Sequence, residues 1–122
     1  MSVYLETSKG DIVIDLFVDK APKTCFNFLQ MCQMKFYNDA LVTFMQKDFI
    51  AKIEKLSTEG RGTVKESIWS LTAPSKEAKA DSTYFADELW PRRFDKRGLV
   101  ATANQGPHLN TSSFFITLRE DG

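Results

Sequence analysis

Histidine and cysteine are scarce in this chain of 122 residues, which contains one histidine and two cysteines. His108 lies among turn-forming residues without an acid or nucleophile beside it, so we expect a surface side chain with at most a rim contact. The hydroxyl residues Thr111–Ser113 have no base nearby, which disfavours nucleophilic catalysis. Cys25 and Cys32 are separated by about 10 Å of helical rise, which is too far for a disulfide. We therefore expect buried free thiols.

Net charge is also absent, because 16 basic and 16 acidic residues cancel to zero. This balance disfavours direct binding of nucleic acid. Segment 90–97 does group Arg92-Arg93 and Lys96-Arg97 with two aromatic residues. We expect a solvated loop there, with nucleic-acid contact as the alternative.

Long apolar runs are missing as well, since none approaches the ~20 residues of a membrane span. Glu6, Lys9 and Asp11 interrupt the N-terminal segment, where a signal peptide would be apolar. The chain length suits one core. We therefore expect an intracellular protein with a single domain spanning residues 1–122.

Alternating and β-prone residues predict several strands. Val3–Thr7 and Asp11–Phe17 flank Ser8-Lys9-Gly10, which predicts a β-hairpin around a glycine-containing turn. The apolar stretch Ala40–Ile53 predicts two short strands. Segment 57–80 is turn-rich and charged, which favours an exposed loop region with a short ordered piece near Ile68-Trp69.

One amphipathic helix is predicted from Pro22 to Met34. Proline suits the first turn of a helix, and Cys25, Phe28, Leu29 and Cys32 recur at helical spacing. The polar residues Lys23, Asn27 and Gln30 are expected elsewhere on the helix circumference.

The most informative segment is Gly98–Thr117, with the sequence GLVATANQGPHLNTSSFFIT. An apolar run, Leu99–Ala101, predicts a short strand, and Phe114–Thr117 predicts another. The polar loop between them is a common way to present donors and acceptors to a ligand.

This segment resembles, in register, the binding-face segment of the cyclophilins, a class of peptidyl-prolyl cis-trans isomerases. Ala21–Cys25, Ser67–Trp69 and Phe85–Glu88 are similar to further motifs of that family. The chain is most similar to the nuclear, spliceosome-associated cyclophilin-like subgroup. The resemblance implies a mainly β fold, an antiparallel barrel capped by helices.

Family domains continue past their Phe-Phe-Ile-Thr motif through a turn, two more strands and a second helix. Here only residues 118–122 follow. We therefore expect a divergent, C-terminally truncated domain whose barrel is incomplete on its C-terminal side.

The resemblance implies catalysis of X-Pro bond rotation, which faces a barrier of roughly 20 kcal/mol because amide resonance is broken. In the family, an arginine hydrogen-bonds to the prolyl nitrogen of the twisted state while an apolar pocket holds the proline ring. Neither a metal nor a cofactor takes part, so we expect none here.

The site departs from the family pattern at three positions. The arginine lies five residues before the phenylalanine that is Phe49 here, and that position is Phe44. Two substrate-contacting glutamines correspond to Lys52 and Ser113. Phenylalanine offers no hydrogen-bond donor, so no intact catalytic residue is expected. For Phe44 we expect a core position, with the wall of a residual pocket as the alternative.

Two functions follow from this resemblance. The first is a weak or inactive peptidyl-prolyl isomerase, with weak or absent binding of cyclosporin-like ligands. The second is a non-catalytic module that binds proline-containing segments in a nuclear ribonucleoprotein assembly, and a nuclear location is favoured over a cytoplasmic one. Both would use the same implied substrate-binding residues, which are Phe49, Ile50, Lys52, Ala103, Asn104, Ser113 and Phe115.

Overall fold

The structure, a computed structural model, describes residues 1–56, 64–88, 98–103 and 106–118. Within these residues the chain forms two sheets and three helices. The elements in chain order are β1 (Ser2–Thr7), β2 (Gly10–Asp15), α1 (Pro22–Gln33), β3 (Leu41–Gln46), β4 (Ile50–Glu54), α2 (Ile68–Leu71), α3 (Lys76–Ser82), β5 (Val100–Thr102) and β6 (Phe114–Thr117).

The predicted hairpin is formed by β1 and β2, which pair antiparallel from Ser2 opposite Asp15 to Thr7 opposite Gly10. Gly10 is already the first residue of β2 and has a φ of +130°, a conformation that favours glycine.

The second sheet has four antiparallel strands in the order β3-β4-β6-β5. The prediction of a mainly β fold is confirmed. In the described part of the chain, however, the strands form these two sheets and do not close into a barrel.

Helix α1 contributes Phe28 to a core that it shares with the hairpin and the four-stranded sheet. Val3, Ile14, Phe28 and Phe114 form one buried cluster that joins the hairpin, the helix and β6. The rings of Phe28 and Phe114 meet edge to face, with 5.2 Å between their centroids. Such aromatic pairs add to the free energy gained from burial.

Both cysteines of α1 are free thiols, as predicted. Cys25 is buried and Cys32 half-buried. Burial raises the pKa of Cys32 to about 11 and, with the nearby carboxylates of Glu88 and Asp19, also raises the pKa of Cys25. The thiols therefore carry little thiolate at neutral pH.

Asn27 is a polar residue of α1 that is only 3% exposed. Its Oδ1 accepts a hydrogen bond of 2.7 Å from the backbone N–H of Ile68, and its Nδ2 donates to the carbonyl of Thr111 at 3.5 Å. A buried amide is stable only when its hydrogen bonds are made. Asn27 therefore ties α1 to two loops.

The prediction of a loop over 57–80 is partly wrong. Residues 57–63 lie outside the described residues. Helix α2 is the short ordered piece expected near Ile68-Trp69, whereas α3 is a helix where a loop was expected. Ser67 caps α2 and is fully buried with Ile68 beside it. Ser75 caps α3 by accepting from the N–H of Ala78.

The N-terminus of α1 is capped by a residue distant in sequence. The carboxylate of Glu88 accepts hydrogen bonds from the backbone N–H groups of Lys23 and Thr24 and from the Thr24 hydroxyl. A negative charge there also interacts favourably with the helix dipole.

Candidate functional site

The four-stranded sheet has an inner face toward α1 and an outer face on the opposite side. Phe114 of β6 points into the core, so its neighbour Phe115 points outward. The same alternation places Ala51 and Ile53 on the inner face of β4. We call outer face the side of the sheet that carries the outward-pointing residues, which are Leu41, Phe44, Gln46, Ile50, Lys52, Glu54, Ala101, Ser113, Phe115 and Thr117. Of these, Glu54, Ser113 and Thr117 are buried.

Three residues singled out in the sequence form a continuous row across this face. Phe44 lies opposite Lys52 in the pairing of β3 with β4, and Lys52 lies opposite Phe115 in the pairing of β4 with β6. Ala101 of β5 completes the row opposite Phe115. Directly opposed side chains in antiparallel strands have Cβ atoms about 5 Å apart. The row therefore brings the predicted residues into contact distance.

Phe44 is 48% exposed, so the expectation that it lies in the core is wrong. The physical reason is its place on β3, the edge strand of the sheet, whose outer side is not covered by described residues. The alternative, the wall of a residual pocket, stays a prediction.

The remaining predicted residues lie around this row. Phe49 is in the turn between β3 and β4, is 48% exposed, and its carbonyl accepts from the N–H of Leu118 at 2.8 Å. Ile50 begins β4 opposite Thr117. Ala103 donates its N–H to the carbonyl of Ser113 at 2.9 Å. Asn104 lies outside the described residues.

A carboxylate that the sequence reasoning missed occupies the centre of the polar part of this face. Glu54 is 9% exposed. Its Oε1 accepts a hydrogen bond of 2.6 Å from the Thr43 hydroxyl, and its Oε2 accepts one of 3.0 Å from the Ser113 hydroxyl. A register shift between Val42 and Phe44 turns Thr43 toward Glu54. The hydroxyl hydrogens of Thr43 and Ser113 are thus both used within the protein.

Lys52 completes the cluster, with its Nζ 3.6 Å from Oε1 of Glu54. Burial by itself would raise the pKa of Glu54. The hydrogen bonds from Thr43 and Ser113 and the Lys52 ammonium outweigh burial and hold that pKa below its usual value. Glu54 is therefore ionised at neutral pH.

Ser113 is held in place by its own segment, residues 110–113, which is buried throughout. The Tyr37 hydroxyl donates to the carbonyl of Ser112 at 2.6 Å, and Asn110 Nδ2 donates to the Phe85 carbonyl at 2.9 Å. Tyr37 also packs edge to face on Phe114. The polar segment is therefore anchored to the core and leads directly into β6.

His108 is exposed, as predicted, and its Nδ1 accepts the backbone N–H of Asp87 at 3.0 Å. Among the described residues, no three His, Cys, Asp or Glu side chains come together in a way that could bind a metal ion. The described helices include none with the length and apolar character to cross a membrane. The basic segment 90–97 lies outside the described residues.

A sequence signal for Glu54 exists in retrospect. Residues two apart on a strand share a face, so Lys52 and Glu54, with Ile53 between them, predict an ion pair on one side of β4.

Comparison with known proteins extends over nearly the whole chain. Residues 2–122 match the model of the family described as cyclophilin type peptidyl-prolyl cis-trans isomerase/CLD. The chain is 41% identical to peptidyl-prolyl cis-trans isomerase CYP59 of Arabidopsis thaliana and 37% identical to peptidyl-prolyl cis-trans isomerase-like 4 of Homo sapiens, each over 99% of this chain. It is 41% identical to the spliceosome-associated protein CWC27 homolog of Danio rerio over 95% of this chain.

These relatives are much longer, since the chain spans 23% of the length of the first two and 22% of the third. Among solved structures, the chain is similar to a cyclophilin type peptidyl-prolyl cis-trans isomerase of Cryptosporidium parvum, with a TM-score of 0.77 and 30% identity. That match covers 98% of this chain and 72% of the other. The motifs, the fold and these matches agree, and the chain belongs to the cyclophilin-type peptidyl-prolyl cis-trans isomerase family.

Proposed function

We propose that this chain binds proline-containing segments of proteins on its outer face and isomerises X-Pro bonds weakly or not at all. The observation that carries the proposal is the exposed ring of Phe44 at the position of the family's arginine, directly opposite Lys52. The ring offers apolar surface to a proline but no donor to the prolyl nitrogen. Binding is therefore retained where stabilisation of the twisted state is lost.

The other outer-face residues support binding. Phe49 and Phe115 present aromatic surface, with Ile50 between the turn and the sheet. Apolar walls with a few polar groups are the usual composition of a ligand site. A similar structure, from Cryptosporidium parvum, was determined in the presence of the dipeptide Ala-Pro, with 29% identity and a TM-score of 0.76.

The polar residues support the part of the proposal that concerns catalysis, which is that the isomerisation is weak or absent. Strands β3–β6 contain no arginine, and Ser113 directs its hydroxyl hydrogen to Glu54 rather than toward a ligand. For the same reason binding of cyclosporin-like ligands is weak or absent in this proposal.

The second candidate function is a non-catalytic module in a nuclear ribonucleoprotein assembly. The specific observation in its favour is the name of one relative, a spliceosome-associated protein. In this version the same face holds a proline segment of another protein, the location is nuclear, and the zero net charge argues against direct contact with nucleic acid.

The test combines a binding and a rate measurement on the 122-residue chain. The first is an NMR titration with the neutral peptide acetyl-Ala-Ala-Pro-Ala-amide, and the second is a protease-coupled assay of proline isomerisation. We expect shifts at Phe49, Lys52 and Phe115 with a rate at or near the uncatalysed one. Phe115→Ala should abolish the shifts, whereas Tyr4→Ala, which removes a 70% exposed ring on the hairpin, should not.

Each result bears on one part of the proposal. A rate like that of an arginine-bearing cyclophilin would overturn the assignment of weak catalysis. A peptide that produces no shifts would overturn the binding site.

A further inference from the structure

The outer face carries an ion pair whose two members differ in exposure. Lys52 and Glu54 are the only charged residues within strands β3–β6. The side chain of Lys52 is 35% exposed, whereas that of Glu54 is 11% exposed. A molecule approaching this face therefore meets the ammonium before the carboxylate.

The hydrogen bonds of the cluster leave the ammonium with donors to spare. Glu54 already accepts from Thr43 and from Ser113, one at each oxygen. Lys52 has three N–H donors, and its described polar contact is Glu54 at 3.6 Å. That distance is long for a charge-assisted hydrogen bond, which is about 2.8 Å between nitrogen and oxygen.

We infer that Lys52 makes the outer face selective for proline segments that carry a carboxylate side chain next to the proline. The inference rests on the proposed function, because both concern the same face. Lys52 lies between Phe44 and Phe115 in the cross-strand row, so a proline against either ring places its flanking residue near the ammonium. Glu54 keeps the ammonium in that row and offsets much of its charge, which limits the size of the preference.

The test uses three peptides of equal length: acetyl-Glu-Pro-Glu-amide, acetyl-Gln-Pro-Gln-amide and acetyl-Lys-Pro-Lys-amide. Each is titrated into the 122-residue chain by NMR at low and at high salt. We expect the Glu peptide to bind about 1.5- to fivefold more tightly than the Gln peptide at low salt, the range typical of an exposed ion pair. The Lys peptide should bind more weakly than both, and high salt should shrink both differences.

Three variants assign the effect to Lys52. Lys52→Gln should lose the preference for the Glu peptide or reverse it, because the carboxylate of Glu54 stays on the face, whereas Lys52→Arg should keep the preference because it keeps the charge. Lys9→Gln, in the turn between β1 and β2, removes the same charge away from this face and should behave as the parent chain. Unfolding curves for all three establish that each variant is folded.

The outcomes are distinguishable. Equal binding of the Glu and Gln peptides by the parent chain overturns the inference and leaves the proposed function intact. A preference that survives Lys52→Gln in a folded variant also overturns it. If none of the three peptides binds, the proposed function and the inference both fail.

Discussion

Phe114 and Phe115 are consecutive residues of β6 that lie on opposite faces of one sheet. Phe114 is 4% exposed and packs against Phe28 and Tyr37, whereas Phe115 lies half-buried in the row beside Lys52. On the inner face, packing leaves little freedom to change a side chain. The three positions at which the sequence differs from the family pattern implied by the resemblance, Phe44, Lys52 and Ser113, all lie on the outer face, and the fold is that of the family. We therefore expect the fold and the proposed peptide binding to depend on different residues of the same strands.

The largest expected effect tests this division directly. Phe114→Ala removes a ring from the core and should lower the free energy of unfolding by about 3–5 kcal/mol. Phe115→Ala should cost less than half of that and instead abolish peptide binding. Urea unfolding followed by circular dichroism, with an NMR titration of each variant, measures both. Equal losses of stability would contradict the division between the faces.

Glu54 lies on the outer face but, unlike Phe115, is expected to contribute to the stability of the fold. Glu54→Ala leaves the Ser113 hydroxyl without its acceptor and Lys52 without its partner, so we expect a loss of about 1–3 kcal/mol in urea unfolding. Glu6→Ala on the exposed hairpin is the matched control.

The same carboxylate predicts a pH dependence. The pKa of Glu54 is lower in the folded chain than its usual value, so its contribution is complete above the usual pKa and is lost as pH falls through the folded one. In the Glu54→Gln variant, the free energy of unfolding should therefore fall less steeply as the pH is lowered into the acid range. If the free energy of unfolding depends on pH in the same way in the parent chain and in this variant, Glu54 is not stabilised in its ionised form.

Catalysis should be harder to restore than a single substitution suggests. Phe44→Arg places a guanidinium beside the Lys52 ammonium, and like charges at opposed positions repel, so we expect less than about a threefold gain in isomerisation rate. The triple variant that combines Phe44→Arg with Lys52→Gln and Ser113→Gln should isomerise about tenfold faster than the parent chain. This gain in rate should exceed the product of the three single gains. The protease-coupled assay measures each, and a multiplicative result would mean that the three positions act independently.

The smallest expected effect concerns the N-terminal cap of helix α1. Glu88 caps α1 through three hydrogen bonds from Lys23 and Thr24. Glu88→Gln keeps an acceptor but removes the charge, which should cost about 0.5–1 kcal/mol of unfolding free energy. Thermal unfolding beside Glu6→Gln, an exposed glutamate on β1, measures the difference. A shift no larger than that of the control would assign the cap no energetic role.

Residue patterns predicted the elements whose apolar residues are periodic. The hairpin, α1, the β3–β4 pair and the strands of the Gly98–Thr117 segment were all confirmed. Helix α3 was missed because its sequence, KEAKADS, has no apolar face to detect. Its start could have been found from Ser75, which caps it.

The members of the candidate site were easier to name from the sequence than their burial and hydrogen bonds. The resemblance placed Phe49, Lys52 and Phe115, and the register brings Phe44, Lys52 and Phe115 into one row. Phe44 was expected in the core because hydrophobicity alone does not distinguish an edge strand from a central one. Asn27 and Glu54 were missed since their roles depend on partners far along the chain, Thr111 and Ser113.

The hydrogen bond from Tyr37 to the carbonyl of Ser112 makes this phenol a built-in optical reporter. Burial, together with Cys32, raises the pKa of Tyr37 well above its usual range. Ionisation shifts the absorbance of a phenol to longer wavelength, and we expect Tyr37 to ionise when the segment that it anchors opens. A rapid jump to high pH would therefore time the local opening of residues 110–113, the segment that leads into the outer face, without any added label.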